Sequence, residues 1–202
     1  MKSINKGFTL TEMVVATAIF VMIGVVVANF AANIFSFNYS TQGNLGAQID
    51  GRHVLKQMIS ELRSASPSAA GAYPIAVAGT SSLTFFSDVN SDGTKEQLRY
   101  YVSGLSLMRG QTVPSGNPPT YPSGNETSQI VIHNVRNGTS TPIFDYFDTN
   151  YAGTSSPITI PVNIPAVRLI RVTVIIDSDP NRSPNPITVT SLGVLRNLKD
   201  NL

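Results

Sequence analysis

The 202-residue sequence contains no cysteine, which removes disulfides, thiolate nucleophiles and the common structural zinc sites together. Charge is scarce as well. Asp, Glu, Lys and Arg make up 13% of the chain, against about 25% in an ordinary globular domain. The formal net charge is +2 and the 14 basic side chains are scattered, so there is no clustered patch for phosphates and nucleic acid is set aside as a partner. Only two imidazoles occur, His53 in a helical pattern and His133 in an apolar strand pattern, and a lone histidine in such a place is ordinarily structural. No G-x-S-x-G elbow, phosphate-binding glycine loop or His-x-x-x-His pair is present. The chain therefore reads as non-enzymatic. Arg168 and Arg171, near the last apolar runs, read as surface salt-bridge partners rather than an anion site.

Two further absences divide the chain. All 13 prolines lie at or beyond Pro67, so nothing in the first 66 residues forcibly breaks a helix. Between Glu12 and Asp50 there is no charged residue. The stretch Phe8 to Phe35, FTLTEMVVATAIFVMIGVVVANFAANIF, exceeds the roughly 20 residues that cross a bilayer. It is rich in β-branched residues, but in lipid a single segment must satisfy its own backbone hydrogen bonds, and the helix does so. From Asn38 to Arg63 the pattern turns amphipathic. Leu45, Ile49, Leu55, Met58, Ile59 and Leu62 fall near one face, with Arg52, Lys56, Gln57, Glu61 and Arg63 mostly elsewhere. The spacing predicts one helix from about Thr9 to Arg63, roughly 80 Å at 1.5 Å per residue. Gly43, Gly46 and Gly51 loosen its middle by about 1 kcal/mol each relative to Ala.

Beyond Ser66 the period is that of strands. Leu83–Phe86, Gln97–Val102, Leu105–Arg109, Gln129–Val135, Ile143–Phe147, Ala166–Ile176 and Ile187–Leu195 are short β-branched or aromatic runs between Gly, Pro, Asn and Ser clusters. Short connections imply antiparallel pairing. Gly110–Asn125 and Ala152–Pro165 read as loops. The expected fold class is α+β: a long N-terminal helix, transmembrane in its first half, packed on an antiparallel β-sheet head. The segments are 1–7 as a leader, 8–35 as the membrane helix, 36–65 as its amphipathic continuation and 66–202 as the β-rich head.

The N-terminus carries the chemistry. MKSINKG holds Lys2 and Lys6 and no acid, and one carboxylate, Glu12, stands just inside the apolar run. An ionisable group in a membrane helix costs about 2.5–3.5 kcal/mol even on the lenient insertion scale, so it calls for a function and a partner. No Lys or Arg occurs from residue 7 to residue 51. Proteolysis after Gly7 would create the missing cation, the α-amino group of Phe8, one helical turn from Glu12. Between adjacent subunits the same pair would set register, because a buried charge left alone costs several kcal/mol while a matched pair is tolerated.

These residues carry a family resemblance. KGFTLTEMVVATAIF resembles the prepilin-type cleavage and methylation motif of type IV pilins and type II secretion pseudopilins: a Gly, then an aromatic, then a Glu at the fifth mature position, all ahead of an apolar helix. The layout of long helix and antiparallel sheet is also that family's. The resemblance implies cleavage between Gly7 and Phe8 by a membrane-embedded prepilin peptidase and N-methylation of Phe8, with Glu12 as the assembly carboxylate. It implies other pilin or pseudopilin subunits, an inner-membrane assembly platform with its ATPase motor, and the lipid bilayer as partners. The chain would be a single-pass protein of the cytoplasmic membrane with its head outside, then part of a periplasmic or cell-surface filament; the basic leader favours the same orientation. LTFFSDVNSDGTKEQLRYYVSGLSLMRG and VTSLGVLRNL resemble the larger minor pilins and the J-type minor pseudopilins, so a minor structural subunit is expected.

Other readings share these residues. A secretory signal with Val26-Val27-Ala28 as its cleavage site has too short an apolar core to match and no place for Glu12. A plain single-span anchor for an extracellular domain has the length but leaves the Gly-Phe and Glu12 spacing unexplained. A ligand-binding minor pilin, an adhesin or DNA-uptake subunit, would use the loops 110–125 and 136–165. One more motif stands apart: in Asp88-Val-Asn90-Ser-Asp92-Gly93, oxygen-bearing residues at alternate positions before a Gly resemble the start of a calcium loop. Asp88, Asn90 and Asp92 would be its side-chain ligands, but Arg99 stands where the bidentate Glu belongs. The alternative is a polar hairpin turn built from turn-forming residues, with no cofactor.

Overall fold

The computed structural model describes residues 7–138, 140–177 and 186–195, without the side chains of 39–44. The chain divides into two compact units that meet at Gln42 and Gly43; the boundaries at 7/8, 35/36 and 65/66 were expected from processing and polarity. Helix α1, Leu10–Arg63, contributes to both units. It is helical through Gly43, Gly46 and Gly51.

In the first unit α1 exposes nearly every residue, including Phe20, Val26 and Phe35. Leu10–Asn38 is 29 residues long and apolar enough to cross a membrane by length and composition. Thr17 on this segment donates its hydroxyl back to the carbonyls of Met13 and Val14, at 2.9 and 3.0 Å, so it adds no unsatisfied donor in lipid.

The second unit is α+β. Strands β1 (Ile75–Ala78), β2 (Ser82–Ser87), β3 (Glu96–Ser103), β4 (Ser106–Thr112) and β5 (Thr127–Ile132) form an antiparallel meander in sequence order. Strands β6 (Phe144–Phe147), β7 (Leu169–Ile176) and β8 (Ile187–Val194) form a second antiparallel sheet in the same order. The head is thus built from two sheets, joined where the Ile143 and Phe144 amides donate to Thr80 O at 2.9 and 3.0 Å and the Tyr146 hydroxyl donates to Gly79 O at 2.7 Å.

Seven strands fall on the expected runs. The strand β1 is new: Pro74 directly precedes only four residues, too short a run for alternation to register. Val135 was expected inside a strand, but β5 ends at Ile132, so His133 lies just past it and is exposed, as His53 is on α1. Alternation in β7 is complete, with Ile170, Val172, Val174 and Ile176 buried.

The core lies between α1 and the sheets. Leu55, Met58, Ile59 and Leu62 are buried, whereas Leu45 and Ile49 are 54% and 66% exposed. Burial on the helix begins at Gly51, and there the reason for glycine appears. A Cβ at Gly51 would lie 2.8 Å from Ile176 Cδ1, and one at Gly193 in β8 would lie 2.9 Å from Ile59 Cδ1. The two glycines let helix and sheet approach closely, so Gly51 serves packing as well as loosening the helix.

Candidate functional site

Gly7 and Phe8 precede α1 in non-helical backbone and both are exposed; a Cβ on Gly7 would meet nothing within 4 Å. Lys2 and Lys6 lie outside the described residues. The helix then starts with a reciprocal cap. The backbone N–H and hydroxyl of Thr9 both donate to Glu12 Oε2 at 2.8 Å, and Glu12 N donates to Thr9 Oγ1 at 3.3 Å. This is a capping box: Thr-x-x-Glu satisfies two of the amides that a helix leaves open at its N-terminus. Glu12 also sits where the helix dipole favours negative charge. Its second oxygen, Oε1, makes no hydrogen bond among the described residues. Glu12 therefore holds its own helix start with one oxygen and presents the other. The role of Thr9 escaped the reading of the sequence, although T-x-x-E before an apolar run is its signature.

Asp88, Asn90 and Asp92 are brought into one loop between β2 and β3, where their oxygens serve the turn. Asp88 Oδ2 accepts from Gly93 N at 3.0 Å and from Lys95 Nζ at 3.2 Å. Asn90 Oδ1 accepts from Asp92 N at 3.2 Å, and Asp92 accepts from Asn90 Nδ2 and Thr94 N, both at 2.7 Å. The Thr94 amide, then the Asn90 side chain, hold the exposed Asp92 carboxyl below the usual carboxylate range. Asp88 Oδ1 is buried without a partner. Among the described residues, no three His, Cys, Asp or Glu side chains are grouped to hold a metal.

A second carboxylate on α1 is used differently. Glu61 was placed mostly off the apolar face, but it is buried with Arg109 and Tyr100. Arg109 donates to Glu61 from Nη2 at 2.9 Å and Nε at 3.2 Å, the Tyr100 hydroxyl donates to Oε2 at 2.7 Å, and Gln57 Nε2 donates to Oε1 at 3.0 Å. Burial, then the Glu61 charge, pushes the Tyr100 phenol far up. For Arg109 burial works against the charge, but the hydrogen bonds and charge of Glu61 outweigh it and its affinity for the proton rises. This cluster ties the helix to β3 and β4 and leaves Glu61 no free oxygen for external chemistry. Arg171 pairs with Asp145 at 2.7 Å, in line with the salt-bridge reading, and Arg168 Nη1 donates to Pro165 O at 2.6 Å.

Residues 2–28 match the family model for the prokaryotic N-terminal methylation motif. The chain carries a prepilin-type methylation motif. The match covers Gly7, Phe8, the Thr9–Glu12 box and the apolar segment as far as residue 28, and is consistent with the type IV pilin and pseudopilin family. No curated protein and no solved structure matches the chain. The motif and the apolar helix behind it support a prepilin-type pilin or pseudopilin, membrane-anchored through a single pass, processed by a prepilin peptidase and assembled with other pilins. The motif points to a structural rather than a catalytic role.

Proposed function

We propose that this chain is a minor structural subunit of a type IV pilus or type II secretion pseudopilus, released from its leader by cleavage between Gly7 and Phe8 and methylated on the Phe8 amine. Lys2 and Lys6 keep the leader in the cytoplasm. The segment 8–35 stores the subunit in the membrane, and an assembly platform extracts it so that apolar helices exchange lipid for one another. Van der Waals packing and a few polar contacts must then supply specificity.

The observation that carries this reading is the half-used carboxylate of Glu12: Oε2 closes the capping box and Oε1 has no partner among the described residues. A free acceptor at the mouth of a helix that carries no other charge before Asp50 suits the α-amine that cleavage creates on a neighbouring subunit. Two measurements test it. Mass spectrometry of the mature chain should return an N-terminus at Phe8, methylated or free, and any other start overturns the processing step. Glu12→Ala should still insert and be cleaved but should lose filament yield, and a wild-type yield overturns the role of Glu12.

A further inference from the structure

A cleft of about 530 Å³ opens on the second unit where the β1–β2 turn, the β3–β4 turn and the segment between β5 and β6 converge. That volume is in the range of small-molecule sites. Its walls are apolar, including Val102, Leu105 and Ile143, with Thr80 and Thr141 adding hydroxyls. Arg136 also lines it, and its guanidinium makes no hydrogen bond or ion pair among the described residues. The three strand arginines that make ion pairs, Arg99, Arg109 and Arg171, each have a carboxylate within 3.0 Å. Among the described residues, no Asp or Glu lines the cleft.

The frame of the cleft is fixed by hydrogen bonds that leave Arg136 aside. Asn137, buried next to it, donates to Thr173 O at 2.7 Å and accepts from Ile175 N at 2.9 Å, and the Arg136 backbone N–H donates to Ile175 O at 2.8 Å. The backbone of 136–137 is thereby held against β7, so the cleft exists without a ligand to order it.

We infer that this cleft binds a small organic monoanion, a carboxylate carried on an apolar body. A single unopposed guanidinium matches one carboxylate through paired N–H donors, the hydroxyls accept or donate beside it, and the apolar walls take the body of the ligand. The source is a free carboxylic acid or the C-terminal carboxylate of a peptide, which share this chemistry. The inference does not depend on the filament reading.

The test uses the full chain in detergent micelles, titrated with N-acetyl-leucine, N-acetyl-leucinamide, inorganic phosphate and a peptide ending in leucine, and followed by backbone amide chemical shifts. N-acetyl-leucine should saturate and shift Gly104, Leu105 and Thr141, and the amide analogue should bind about tenfold more weakly or less, because the charge-assisted contact is gone. Arg136→Gln, at an exposed position, should keep the wild-type melting temperature and lose about tenfold in affinity. Phosphate should not saturate, since it lacks the apolar body. Tighter binding of the peptide than of the free acid identifies a chain terminus as the source, and the reverse identifies a free acid. Equal binding of acid and amide, unchanged affinity in Arg136→Gln, or shifts confined to residues 10–38 overturns the inference.

Discussion

Replacing Glu61 by Ala should be among the most damaging single substitutions in the second unit. Glu61 is 8% exposed, Arg109 7% and Tyr100 1%. Without the carboxylate, the Arg109 guanidinium keeps only Gln111 Oε1, at 3.2 Å, as an acceptor among its described side-chain partners, and the Tyr100 hydroxyl loses its bond at 2.7 Å. Breaking a buried pair by removing one partner costs about 3–5 kcal/mol, because the surviving charge is left without compensation. Against a total stability of about 5–15 kcal/mol this is about a fifth at the least. A loss of roughly 6–20 °C in melting temperature follows at about 2–4 °C per kcal/mol for a chain of this size. Circular dichroism melts of the full chain in detergent measure it. The double variant Glu61→Leu with Arg109→Met should recover most of the loss, since an apolar replacement of similar volume removes both desolvation costs. A loss below about 1 kcal/mol in Glu61→Ala, in the range of a surface ion pair, or a double variant as unstable as the sum of its parts, would refute the buried-pair reasoning.

Thr9→Ala should open the start of α1 by about 1 kcal/mol, seen as faster amide exchange at Leu10–Met13 with the melting of the head unchanged; unchanged exchange would dismiss the capping box. Burial first, and then the charges of Glu61 and Asp145 respectively, push the phenols of Tyr100 and Tyr146 above their ordinary range. The folded state therefore holds both protons longer than the unfolded state. Their contribution is whole below about pH 10 and is lost above it at about 1.4 kcal/mol per pH unit for each tyrosine. Melting temperature should fall steeply beyond pH 10, and two tyrosines should ionise only on unfolding. For the loop 88–95, whose oxygens already accept from Gly93, Asp92 and Thr94, calcium titration should release no heat and leave the melting temperature in place. A rise of several degrees that Asp88→Ala abolishes would establish the calcium reading.

What was legible in the sequence is what local chemistry determines. The missing prolines and charges marked α1 to within a residue of its start at Leu10 and its end at Arg63. β-branched alternation marked β7, because each of its residues meets the same two environments in turn. What was not legible depends on partners far along the chain. Leu45 and Ile49 share an approximate apolar stripe with Leu55 and Leu62, yet they stay exposed, and full burial on the helix starts only at Gly51. Glu61 looked like a solvent-facing charge until Tyr100 and Arg109, 39 and 48 residues away, were brought onto it. The joining of the two sheets rests on the contacts of Thr80 and Gly79 with Ile143, Phe144 and Tyr146, which no periodicity encodes. At the N-terminus Gly7, Phe8 and Glu12 stood out by a lone carboxylate in an apolar run and by resemblance to the methylation motif, while Thr9 required its hydrogen bonds to be seen.

The two carboxylates of α1 show how hydrogen-bond accounting separates fold from assembly. Removing Lys2 and Lys6 from the 14 basic side chains leaves 12, equal to the 12 acidic ones, so the net charge of the chain belongs to its leader. Glu61 spends both oxygens inside the second unit, on Arg109, Tyr100 and Gln57, and has nothing left to offer a neighbour. Glu12 spends one oxygen on Thr9 and, among the described residues, keeps the other. An unmet acceptor in a helix that enters lipid is unfavourable until something meets it. If Glu12 is the assembly carboxylate proposed above, that unmet demand would draw it toward a second molecule, since no other charge lies within the next 37 residues of the chain.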